Sequence, residues 1–323
     1  MASRDRPPQV LARELGLGSA SYVALRGGKP GDATALAGQA DAVFQAASLT
    51  KPVAALAALR LAQAGRLELD APVARYLPHG YKHFHNPLRR APSDAFDLLP
   101  ASTLEHITVA QLLNHSSGFP NWSSGRLSFK SEPGQRWGYS GEGYVLLQNV
   151  IEAITQTDLA TYLEQKLFAP LGMIDTSLVW RESFGARAVG GSMLLGLQQR
   201  VHFQSAVAAS TLYTTAADYA RFMAAVLTDD AILALILSHT VEADAALGLK
   251  WGLGWGIEQG ADGPCIWQWG NNPGFRAFAM ANTVSKDGFV VLTNSEKGMP
   301  LAASIAHAVL PVEHNAFRFP WVA

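Results

Sequence analysis

Ser48 and Lys51 stand three residues apart at the mouth of an otherwise apolar stretch, AASLTKPVAALAALRLAQAGRLELD, residues 46–70. The apolar run predicts a helix from about Leu49 to Ala64, closed by Gly65, with Pro52 in the first turn where a missing N–H is tolerated. Ser48 then sits at the helix N-terminus, where free N–H groups and the dipole favour developing negative charge. Lys51 lies one turn on, on the same face. A lysine held among apolar neighbours loses basicity. As a neutral amine it can take the serine proton and make Ser48 a nucleophile. The plain alternative is an N-cap serine beside a solvated lysine. An S-x-x-K spacing alone does not separate the two, so the rest of the chain has to.

Both chain ends read as sheet. SASYVALRGGKPGDATALAG is a strand, a Gly/Pro turn and a second strand. WGLGWGIE alternates Trp251, Leu253, Trp255 and Ile257 with glycines, a period of two that predicts a strand. CIWQWG, RAFAMANT and GFVVLTN follow across short turns, as in an antiparallel sheet. The helical run LAASIAHAVL comes after them. The middle reads as helical: TLEHITVAQLLNHSSG as a helix stopped by glycine, the stretch from Gly141 to Gly172 as two helices, and TTAADYARFMAAVL with Thr215 and Asp218 in capping-box positions. Leu77 to Pro100 carries four prolines and little periodicity, and reads as a surface loop. These elements predict an α+β chain: a sheet domain from 1–66 and 205–323, a mostly helical insertion at 67–204, and a site between them.

Composition narrows the function. The chain has 323 residues, 49% hydrophobic and 16% charged, with a formal net charge of -1. No basic run exceeds two residues, which argues against nucleic acid or an anionic membrane surface as partner. One cysteine, Cys265, leaves no intrachain disulfide. The first residues lack the apolar core of a secretion signal, and no apolar run is long enough to span a bilayer, so the expected location is cytoplasmic. His79, His83 and His85 cluster in HGYKHFH, but the segment reads as a solvated loop rather than a metal site. No metal or other cofactor is expected. Neither a G-x-S-x-G elbow nor a nucleotide-binding fingerprint is present.

Several ordered motifs carry a resemblance. AASLTKPVAALAALRLAQAGRLELDAPVARYLP, ITVAQLLNHSSGFP, EPGQRWGYSGEGYVLLQNVIEAITQ, FAPLGMIDTS, TLYTTAADYARFM and WGLGWGI follow one another as they do in the serine β-lactamase and penicillin-binding-protein superfamily. The similarity is to the branch with class C β-lactamases, D-aminopeptidases and family VIII carboxylesterases. It implies a β-lactamase/transpeptidase-like fold, an antiparallel sheet flanked by helices. It implies that Ser48 is the acylated nucleophile, Lys51 its activating partner and Tyr139 the proton shuttle, with Lys51 lowering the Tyr139 pKa. Backbone N–H groups of Ser48 and Asn271 would form the oxyanion hole. Ser140 is the competing choice in the tyrosine motif, and His115 would be a structural histidine that fixes its loop.

Two departures from the family pattern bear on substrate. Gly141 stands where the branch often has an asparagine that binds the acyl-amide. Gln268-Trp269-Gly270 stands where it has Lys-Thr-Gly or His-x-Gly. A neutral glutamine does not supply the charge that holds a β-lactam or D-peptide carboxylate. Trp251, Trp255, Trp267 and Trp269 would wall an apolar pocket or pack a sheet face, the second being expected for Trp251 and Trp255, while Trp269 lies inside the motif. The expected activity is an esterase for small or medium acyl esters, with acyl transfer to an alcohol or amine on the same machinery. The alternatives are a D-amino-acid peptidase, amidase or weak β-lactamase, and an idle ligand-binding relative.

Overall fold

The computed structural model describes residues 6–193, 197–199, 201–260 and 262–322. The outer ends of the expected sheet domain, residues 1–5 and 323, and Ala261 in the QGADGP turn lie outside the described residues. The chain opens with α1 (Pro8–Glu14), β1 (Ala20–Arg26), β2 (Lys29–Pro30), β3 (Thr34–Ala37), β4 (Phe44–Ala47) and α2 (Thr50–Gln63). Its middle holds β5 (Tyr81–Phe84), β6 (Phe96–Leu99), α3 (Ala101–Leu104), α4 (Val109–Leu113), α5 (Gly141–Thr155), α6 (Leu159–Leu163), β7 (Gly191–Ser192) and β8 (Gln198–Gln199). Then come β9 (Leu212–Thr214), α7 (Ala216–Leu227), α8 (Asp230–Ile236), β10 (Val241–Asp244), β11 (Leu249–Trp251), β12 (Gly256–Gly260), β13 (Gly263–Asn272), β14 (Phe275–Asn282), β15 (Gly288–Thr293) and α9 (Met299–Val309).

Both chain regions feed one antiparallel sheet, in the order β10-β11-β12-β13-β14-β15-β1-β2, with β3 also on β1. The N-terminal β1 pairs with β15 from Ala20–Thr293 to Leu25–Gly288. Side chains alternate across each strand, which splits the core in two. Ala277, Ala279 and Ala281 of β14 join the larger core with α2, α5 and α7. Phe278 and Met280 join the smaller one with α9. Small residues on the first face let β4 pack directly on β13 and β14. Among the described residues no helix is long and apolar enough to cross a membrane.

Three local expectations change. WGLGWGIE is not one strand: β11 and β12 form a hairpin with Trp251 opposite Gly256. Gly254 at its tip has φ +95°, and a Cβ there would lie 2.3 Å from that of Ala55, so the spacing of glycines encodes a turn pressed against α2. Leu77–Pro100 is not a plain loop, since β5 and β6 pair from Tyr81–Leu99 to Phe84–Phe96. His83 is buried there, its Nε2 3.2 Å from Glu142 Oε2, while His85 meets Asp97 at 2.9 Å. The prolines mask the hairpin because none lies within its strands: Pro87 and Pro92 fall between them, Pro78 before and Pro100 after. Finally, α4 ends at Asn114, before the glycine, and His115 takes a left-handed φ of 63°.

Candidate active site

Ser48 lies in the turn between β4 and α2. Ala47 before it has φ 51°, a conformation that costs a non-glycine residue energy and that the surroundings have to hold. The Thr50 hydroxyl does so, donating to Ala47 O at 2.6 Å and accepting from Leu212 N at 3.0 Å. The helix N-cap position falls on Leu49, and no side chain caps α2. The Ser48 hydroxyl is therefore not spent on a cap. Lys51 is not solvated either: it is 1% exposed. Its Nζ lies 3.1 Å from Ser48 Oγ and donates to Ala209 O at 2.8 Å. Burial pulls its pKa down to about 7, so a large share of the amine is neutral at neutral pH.

Tyr139 brings its hydroxyl to the same point. It hydrogen-bonds to Ser48 and accepts from Gln268 Nε2 at 3.1 Å, and Lys51 Nζ sits 4.7 Å from its ring centroid. The expectation that Lys51 makes this phenol acidic does not hold. Burial pushes the Tyr139 pKa well up, only partly offset by the bonds to Ser48 and Gln268. Lys51 is the group that changes charge near neutrality, and Tyr139 stays a neutral phenol there. His115 packs on Tyr139 at 4.4 Å between centroids, and its Nδ1 accepts from Ser140 N at 3.1 Å. Burial, then the Lys51 charge, lowers its pKa well below the ordinary value, which keeps the ring neutral. Ser140 is the N-cap of α5: its Oγ accepts from Gly143 N at 2.8 Å and donates to Pro120 O at 2.9 Å.

The sheet supplies the opposite wall. β12 stops pairing with β13 at Gly256–Trp267, so Gln268 to Asn271 have no strand on that edge. Gly270 is required there by contact: a Cβ would lie 2.4 Å from Ala46 O. The strand thus meets the Ser48 turn backbone to backbone, and the next residue, Asn271, is exposed. Gln268 is fully buried and spends its amide on Ser48 O at 3.1 Å and on Tyr139. Its NH2 is turned onto Ser48 and Tyr139 instead of lying open. Trp269 points to the other face, its ring 4.6 Å from that of Tyr139. Trp251 and Trp255 are buried, but in different cores.

Gly141 begins α5 beneath the loop after α4. A Cβ there would lie 2.6 Å from Asn121 O and 2.9 Å from the Trp122 ring. The space of a side chain at 141 is taken by an indole that is itself 44% exposed. Gly141→Ala is expected to cost about 1–3 kcal/mol, as overpacking does. The check is the denaturant midpoint; an unchanged midpoint would mean that the Asn121–Trp122 segment moves aside freely. Trp122 is a residue that sequence reasoning missed. Its only signal was its place two residues past the Gly-Phe-Pro of the second motif.

Comparison with known proteins bears on the family and the fold. The sequence profile of the Beta-lactamase family matches residues 11–313. Penicillin-binding protein 4* of Bacillus subtilis is 28% identical over 42% of this chain, and esterase EstB of Burkholderia gladioli is 32% identical over 44%. The chain spans 30% and 40% of the length of these two relatives. The structure of a β-lactamase/D-alanine carboxypeptidase from Pseudomonas syringae superposes with a TM-score of 0.76 at 16% identity, over 95% of this chain and 97% of that one, which speaks for the fold. With a profile match over most of its length and a β-lactamase/transpeptidase-like fold, the chain belongs to the Beta-lactamase family.

Proposed function

We propose that the protein is a serine esterase that works through an acyl-enzyme on Ser48. The observation that carries this is a buried lysine whose pKa burial lowers to about 7, 3.1 Å from a serine hydroxyl that caps nothing. Ser48 Oγ attacks the ester carbonyl carbon as its proton passes to Lys51 Nζ. Negative charge on the carbonyl oxygen meets the N–H groups of Ser48 and Asn271. The C–O bond to the alcohol breaks, and Tyr139 hands the departing oxygen a proton that Lys51 replaces. Water then attacks the acyl carbon along the same path, the acid leaves, and Ser48 regains its proton. The scheme calls on no cofactor.

Ester is favoured over β-lactam or D-peptide because the side chain at 268 is a neutral amide whose NH2 is already engaged, and because an indole fills the place beside Gly141. A fluorophosphonate probe is expected to label Ser48, and short-chain p-nitrophenyl esters to be turned over faster than nitrocefin or a D-alanyl amide. An unlabelled Ser48 would make the protein an idle binder, and faster nitrocefin hydrolysis would make it a β-lactamase. Gln268→Ala is expected to lower kcat about fivefold with little change in KM, since it removes a roughly 1 kcal/mol bond to the proton shuttle and no substrate contact. A change confined to KM would put Gln268 on the substrate.

A further inference from the structure

The chain beyond α9 folds back toward Tyr139. It is fastened by Glu258 of β12, whose carboxylate accepts from Ala316 N at 2.8 Å and lies 3.2 Å from His314 Nδ1. Asn315 Nδ2 adds a bond to Leu247 O at 3.0 Å. Phe319 is buried among Trp137, Trp267 and Trp269, at 5.5, 5.8 and 6.2 Å between centroids, and Val322 is buried as well. Between these two anchors Trp321 is 45% exposed. Its indole stands 5.4 Å from the Tyr139 ring and 6.5 Å from Trp269. A segment tied down on both sides that still presents its largest apolar side chain leaves that side chain free to meet something else.

Trp321, Trp269 and Asn271 share the lining of one open cavity of about 380 Å³ with Met299, Arg276, Glu296 and Lys297, and the cavity meets Tyr139 through the rings of Trp321 and Trp269. Arg276 is spent on the carbonyls of Asn272 and Phe275. We infer that this cavity is the leaving-group subsite of the Ser48 centre, that it takes planar aromatic alcohols, and that Trp321 sets the preference. The inference rests on the esterase reading above. Its logic is positional. The departing oxygen has to leave beside the group that protonates it. That group is the Tyr139 hydroxyl, and the Tyr139 ring continues into the two indoles. The alcohol's body is thereby placed against flat π faces, which favour an aryl ring over an alkyl chain. The acyl portion is left to the other side, toward Gly141 and Trp122.

The test uses esters that differ in one half at a time. The ratio of kcat/KM for 2-naphthyl acetate over ethyl acetate is measured in the wild type, Trp321→Ala and Trp321→Phe. Both acetates form the same acetyl-enzyme, so deacylation contributes nothing to the ratio. Trp321→Ala is expected to lower it about tenfold and Trp321→Phe to retain most of it, the scale of one lost aromatic contact. The ratio for 2-naphthyl butyrate over 2-naphthyl acetate is expected to stay within about twofold, because the acyl half is elsewhere. Inhibition by 2-naphthol is expected to weaken about tenfold in Trp321→Ala. An unchanged leaving-group ratio, or an acyl ratio that moves instead, overturns the assignment, as does an equal loss in Phe and Ala. If Trp321→Ala does not fold, Trp321→Leu, judged by its denaturant midpoint, carries the same comparison. A wild type that turns over no ester yet binds 2-naphthol through Trp321 would sink the esterase reading alone. Ester turnover with indifferent ratios would sink the subsite alone.

Discussion

Ser48→Ala is expected to lower ester turnover by up to about 10⁶-fold, the scale reached when the nucleophile of a serine hydrolase is removed. Lys51 and Tyr139 would remain, but with no oxygen to activate. The fold should not suffer. The Ser48 side chain caps no helix and is only half-buried, so the change in stability is expected within about 0.5–1 kcal/mol. A slow ester should leave its acyl mass on the peptide that contains Ser48 in the wild type and nowhere in the variant. Ser140 is the informative control. Its hydroxyl both caps α5 and donates to Pro120 O, so Ser140→Ala is expected to cost about 1 kcal/mol of stability. An acyl group found on Ser140 would replace the mechanism.

Lys51→Met is expected to lower kcat by about 10²–10⁴-fold, the range for a general base, and to do so at every pH. In the wild type the neutral amine is the active form, so kcat/KM should rise with pH through a midpoint near 7 and then level off. Tyr139 lies too high, and His115 too low, to produce that midpoint. A flat profile between pH 5.5 and 8.5 would remove Lys51 as the base. The Lys51→Met substitution should move stability the opposite way from activity. A lysine in the unfolded chain titrates near about 10.4 and keeps its proton where the folded one releases it. The gap is worth roughly 4–5 kcal/mol against folding below pH 7, and the penalty fades as pH rises from 7 toward 10. The bonds of Lys51 to Ser48 and Ala209 offset part of this. Lys51→Met is therefore expected to unfold at a higher denaturant concentration than the wild type at pH 6, with the difference shrinking by pH 9. A less stable variant at pH 6 would mean that those bonds outweigh desolvation. The buried amine would then be an example of stability given up for chemistry.

The features readable from sequence are those set by neighbours a few residues apart. Lys51 falls one turn after Ser48 because Pro52 and the alanine-rich run behind it make α2 a helix. The alternation in CIWQWG and RAFAMANT makes two strands and sends Trp267 and Trp269 to one face, Gln268 and Gly270 to the other. The glycine spacing in WGLGWGIE is ambiguous for the same reason. A period of two is shared by a strand and by a hairpin whose tip is glycine, and only Ala55 pressing on Gly254 decides between them.

Tertiary structure decided what the local pattern leaves open. The sequence shows a lysine beside a serine; that its Nζ is dry is set by Ala209, 158 residues away, and by the core around it. Gln268 reads as a missing cation at a substrate site; that it holds Ser48 and Tyr139 follows from a contact across 220 residues. His83 reads as a solvated histidine until β5 turns it onto Glu142. Trp321 carries no motif, and reaches Tyr139 only because Glu258 and Phe319 draw the chain back across the sheet. Covalent spacing sets which side chains share a turn or a face. Burial, and with it the pKa of Lys51 and the walls of the cleft, is a property of segments that meet only when the whole chain has folded.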